Sequence, residues 1–70
     1  MLTRAEVESW FALRTARLDQ LERIKAIREA GKALALAIFE RTPGCADQSA
    51  ALRQVREAVM TAEEAIVLHD

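Results

Sequence analysis

Arg28 is the charge in this chain best spaced to do chemistry. It stands beside an apolar ladder, and its guanidinium fork is shaped to hold a phosphate through two parallel hydrogen bonds. The competing partner is Glu63, which an antiparallel pairing of helices brings opposite; at an exposed site such an ion pair contributes little. No other constellation points to catalysis. No nucleophile stands at a telling distance from a base, no glycine-rich phosphate loop occurs, and Glu63 and Glu64, being adjacent, point about 100° apart on a helix. Cys45 has no flanking base to activate it and reads as a helix-start residue, and His69 reads as a frayed end. An enzyme is not indicated, and neither is a cofactor.

The elements that position Arg28 follow from spacing. Ile24, Ile27, Gly31, Leu34 and Ile38 step by three and four residues, and so do Leu52, Val55, Val59, Ala62 and Ile66. That rhythm is the a/d seam of packed helices. Between the ladders stands Thr42-Pro43-Gly44, where proline cannot continue a helix and glycine is free to take a positive φ. If the chain doubles back there, the layers pair as Ile38 with Leu52, Leu34 with Val55, Gly31 with Val59, Ile27 with Ala62 and Ile24 with Ile66. The expected fold is all-α: an antiparallel helical hairpin preceded by a short N-terminal helix. One domain spans 1–70, with the N-terminal helix and link in 1–18, the first long helix in 19–41 and the second in 45–68.

Thr3 followed by Glu6 has the form of a capping box, so the short helix starts near Arg4 and carries Val7, Trp10 and Phe11. Trp10 and Phe11 serve either as packing or as an aromatic face for a base. Asp19 followed by Glu22 repeats the box and places the start of the first long helix at Gln20, although no glycine or proline forbids a continuous helix from Arg4 to Arg41.

Size and charge bound the function. Seventy residues make one small domain, whose core alone seldom supplies more than roughly 3–5 kcal/mol. One cysteine and one histidine leave neither a disulfide nor a zinc cluster as support. Ala30, Ala37, Ala51, Ala58 and Ala65 form a second stripe beside the seam, and Leu36, Phe39, Met60 and Val67 lie outside it. Two helices cannot bury all of these, so a homo-oligomer in which hairpins pack on hairpins is expected. A net charge of −1 and a pI near 5.8 argue against long nucleic acid. From Arg14 to Lys32, however, six bases stand against three acids, which suits a small anion. No apolar run reaches membrane-spanning length and no signal peptide is evident, so an intracellular protein is expected.

Pro43 with Ser49-Ala50-Ala51-Leu52, Glu57-Ala58-Val59-Met60 and Ala65-Ile66 resembles, without a gap, the hairpin domain of the phage anti-defence sponges. These proteins sequester the cyclic nucleotide signals of the CBASS and Thoeris systems. Asp19-Gln20, Glu22-Arg23 and Ala26-Ile27-Arg28 resemble the family's approach to its first long helix, and Phe11 falls where an aromatic segment precedes it. The resemblance implies an oligomeric hairpin, often hexameric, in the cytoplasm of an infected bacterium. It would bind cyclic di- or trinucleotides or a cyclic ADP-ribose type signal between subunits and release them unchanged. Carried over by position, Arg28 meets phosphate, Phe11 stacks on a base and Ser49 opens the second long helix. Arg23 lies in a matching stretch, and Arg14 and Arg53 are further candidates. The chain departs from the family at Leu13, Thr61 and Glu63, where relatives have tyrosine, tryptophan and asparagine. The alternative readings are a helical protein–protein module without nucleotide binding and, third, a nucleic-acid-binding protein.

Overall fold

The computed structural model describes residues 1–12 and 15–70. Three helices follow one another: α1 (Arg4–Trp10), α2 (Leu18–Arg41) and α3 (Ala46–His69), with no strand among the described residues. The two long helices, each of 24 residues, pack on each other as an antiparallel hairpin, and the chain as a whole measures 44 × 30 × 16 Å. No helix is long and apolar enough to cross a membrane among the described residues.

The seam accounts for the pairing. Ile24, Ile27, Ile38, Leu52, Val55, Val59, Ala62 and Ile66 are all half-buried along the α2–α3 contact, and Leu34 is 54% exposed. At Gly31 the helices approach closely, since a Cβ built on it would clash with Val59 Cγ2. An alanine there would push the helices apart, so the crossing is held to a residue without a side chain. No apolar side chain among the described residues is fully buried.

The corner is made differently from the sequence expectation. Thr42 ends α2 in extended backbone, as the residue before a proline does, and its hydroxyl donates to the Ile38 carbonyl at 2.6 Å. Gly44 does not use its freedom, since no glycine among the described residues has a positive φ. The orphan carbonyls of the last turn are met from across the corner: Gln48 Nε2 donates to the carbonyls of Phe39 and Thr42, each at 3.2 Å.

The start of α2 is a second departure. Its cap is Arg17, not Asp19, and the helix begins at Leu18, two residues before Gln20. Gln20 Oε1 accepts the Arg17 N–H at 2.9 Å, while its Nε2 donates to the Ile66 carbonyl at 3.1 Å. Only 4% exposed, Gln20 closes the N-terminus of α2 and the C-terminal part of α3 with one side chain.

Thr3 caps α1 as expected, its hydroxyl accepting the Glu6 N–H at 3.2 Å. The helix ends at Trp10, capped by Phe11, and Thr15 to Arg17 are not helical. A continuous helix from Arg4 to Arg41 is thereby excluded. Seven residues cannot persist alone as a helix, so α1 depends on the aromatic end that it lays beside the hairpin.

Candidate ligand groove

The short helix delivers Trp10 and Phe11 to the open end of the hairpin, opposite the corner. There they face Leu21 and Ile24 of α2 and Met60, Val67 and Leu68 of α3 across a groove of about 830 Å³. Trp10 is 49% exposed and Phe11 83%, so neither is a core residue. Within one chain the hairpin does not bury either ring, and both line the groove.

Arg28, Glu63 and Glu64 provide its charges. Arg28 and Glu63 meet in a two-point pair, with Nη2 donating to Oε2 at 3.0 Å and Nε donating to Oε1. The hydrogen bond from Arg28 holds the Glu63 carboxyl below the usual glutamate range, and the same contact raises the guanidinium. Glu63 is the better covered partner, its side chain 20% exposed. A carboxylate thus occupies the fork that a phosphate would use. Binding an anion here requires that Glu63 be displaced or protonated.

A second cluster gathers beside the groove. Arg23 Nη2 pairs with Asp70 Oδ2, and Arg17 Nη2 approaches the same oxygen at 3.5 Å. Arg17 also donates to Asp19 through Nε at 3.1 Å. The hydrogen bond from Arg23 lowers Asp70, and that from Arg17 lowers Asp19. Arg23 is therefore committed within the chain, like Arg28.

The remaining candidates divide. Ser49 and Arg53 lie in the first two turns of α3, near the corner and outside the grooves described here, and Ser49 donates its N–H to the Cys45 carbonyl at 3.2 Å. Ten residues of helix separate Arg53 from Glu63, about 15 Å of rise. One chain does not bring Ser49 or Arg53 to Phe11 and Arg28; a neighbouring subunit would have to. Arg14 lies outside the described residues.

Sequence reasoning counted Lys32 only as part of the basic stretch and passed over Arg56. They line one groove of about 350 Å³ with Arg28 and Glu63, over the Gly31–Val59 crossing, and neither has an ion-pair partner among the described residues. The hairpin register that pairs Arg28 with Glu63 also carries these two cations to one face, which the seam alone was enough to find. Among the described residues, no three or more of His, Cys, Asp and Glu come together to hold a metal ion.

Comparison of the chain with models of protein families, with curated proteins and with solved structures finds no match.

Proposed function

We propose that this chain is a non-catalytic, self-associating hairpin that binds cyclic nucleotide signals of bacterial anti-phage immunity and releases them unchanged. The observation that carries the reading is the meeting of Phe11, Trp10 and Arg28 at one groove of about 830 Å³, within the usual size of small-molecule sites. An exposed aromatic ring takes the face of a base, and a guanidinium takes the phosphate. Sequestration requires enclosure, not bond making. Ser49 and Arg53 of a neighbouring subunit, hexamers being usual in the family the sequence resembles, would supply the contacts that a single chain keeps apart.

The test is calorimetric titration with cyclic dinucleotides, cyclic trinucleotides and cyclic ADP-ribose isomers, followed by chromatography of the ligand after the protein is denatured. Submicromolar binding with intact ligand recovered is the expected result. No heat from any of them, with folded and assembled protein, overturns the reading.

One observation favours a second reading. The Arg28–Glu63 pair neutralises the one cation lining the groove among the described residues and leaves Glu64 at its edge, an arrangement poor for phosphate and compatible with a helical protein–protein module. Such a module would use the exposed Leu36, Phe39 and Met60 to hold its partner.

A further inference from the structure

Among the described residues, four charged side chains line the groove over the Gly31–Val59 crossing, and three of them are cationic: Arg28, Lys32 and Arg56 stand against Glu63. The chain as a whole has a net charge of −1, so this face gathers positive charge that the composition does not announce. Both carboxylate oxygens of Glu63 are taken by Arg28. Lys32 of α2 and Arg56 of α3 are exposed, and neither has an ion-pair partner among the described residues. The rest of the lining is apolar, from Ala35 and Leu52 to Val59 and Met60.

This groove adjoins the aromatic one. Arg28, Met60 and Glu63 line both, so the two share a wall. Lys32 follows Arg28 by four residues along α2, about 6 Å of rise.

We propose that Lys32 and Arg56 form a second phosphate subsite, and that one nucleotide lies across both grooves with its ring on Phe11 and its far phosphate between these two cations. Arg28 meets a phosphate only after Glu63 is displaced, whereas Lys32 and Arg56 have no carboxylate to give up. Cations on facing helices reach an oxyanion from two sides, the arginine through its fork and the lysine as a mobile point charge. The apolar lining beside them excludes water from part of the anion's surroundings and strengthens the attraction. At about 350 Å³ the groove falls at the lower end of small-molecule sites. Such a subsite favours a ligand with two phosphate groups set apart over one with a single phosphate. The placing of the ring rests on the nucleotide reading above; the phosphate subsite stands without it.

Inorganic pyrophosphate, titrated at low salt into the isotope-labelled intact chain and followed by NMR, tests the subsite on its own. Saturable shifts are expected at the amides around Lys32 and Arg56 and at the Arg56 Nε–H. They should be at least threefold larger than at Lys25 and Arg41, which line none of the grooves described here. Lys32→Gln combined with Arg56→Gln should abolish them; Lys25→Gln combined with Arg41→Gln removes the same charge and should leave them in place. No shifts, or shifts that both double variants lose equally, overturn the subsite.

Calorimetry with cyclic dinucleotides then tests the span. A dinucleotide that binds the wild type should bind the Lys32/Arg56 variant at least tenfold more weakly and the Lys25/Arg41 variant within twofold of wild type. Equal binding by the wild type and the Lys32/Arg56 variant overturns the span and leaves nucleotide binding standing. No binding of any cyclic nucleotide, with the pyrophosphate shifts present, overturns the proposed function and the placing of the ring and upholds the phosphate subsite.

Discussion

Arg28 of α2 and Glu63 of α3 face each other across the hairpin and share two hydrogen bonds, one of them Nη2 to Oε2 at 3.0 Å. The pair pins the register of the two helices at the point where the groove opens. It also sets the electrostatic terms on which an anion could enter.

Glu63→Asn removes the carboxylate and leaves the guanidinium free to face the groove. If the groove binds cyclic nucleotides, affinity should rise at least fivefold in a titration at low salt, and the gain should shrink as salt is added. Unchanged affinity would refute the idea that Glu63 competes with phosphate. The melting temperature should move little, because the pair is exposed on the arginine side.

Gly31→Ala tests the crossing. The substitution gains about 1 kcal/mol of helix propensity but drives a methyl group into Val59, where overpacking costs about 1–3 kcal/mol. Net destabilisation of about 1 kcal/mol is expected in urea melts at fixed protein concentration, and Val59→Ala in the same chain should restore most of it. Gly44→Ala is the control. Its φ is not positive and nothing stands within 4 Å of the added Cβ, so stability should hold or rise by about 0.5–1 kcal/mol.

These outcomes bear on what the sequence made legible. The packing of α2 on α3, the Gly31–Val59 layer and the Arg28–Glu63 contact were readable, because period and register are properties of spacing alone. The start of α2 was not. Rules for helix starts look for a Ser, Thr, Asp or Asn cap, and here the cap is Arg17, whose backbone N–H is met by Gln20 three residues on. Gln48 escaped notice for a similar reason, since its bonds to Phe39 and Thr42 exist only once the corner has formed. Of the candidate site, Phe11 and Arg28 come together at one groove, whereas Ser49 and Arg53 stay near the corner. Spacing along one chain does not encode what a neighbouring chain would bring.

Gln20→Leu tests the side chain that sequence rules undervalued. It deletes an acceptor for Arg17 N–H and a donor to the Ile66 carbonyl, and should cost about 1–3 kcal/mol in chemical denaturation. Gln20→Glu keeps the acceptor but sets a carboxylate oxygen against the Ile66 carbonyl. It should be the more damaging variant at neutral pH and recover in part as the pH falls.

Acid should loosen the open end of the hairpin. Glu63, Asp19 and Asp70 are each held below their ordinary values, 4.5 for the glutamate and 3.8 for the aspartates, by hydrogen bonds from Arg28, Arg17 and Arg23. A depressed carboxyl contributes its stability fully above the ordinary value and loses it as pH falls through the lowered one. Melting temperature should therefore be flat from neutrality down to about pH 5 and decline below pH 4. Glu63→Gln combined with Asp70→Asn should flatten that decline, as followed by circular dichroism.

The corner capped by Gln48 also bears on how the chain finds its fold. Only the residues from Thr42 to Cys45 separate the long helices, so the first contacts between them, near Ile38 and Leu52, close a short loop at small entropic cost. Each further layer toward Ile24 and Ile66 then adds to a structure already half made, like a zip drawn from its fixed end. Unzipping runs the other way. In hydrogen exchange the amides of Leu52 and Val55 should outlast those near Ile66 and Leu68, so the first part of the hairpin to open is the end that holds the aromatic groove.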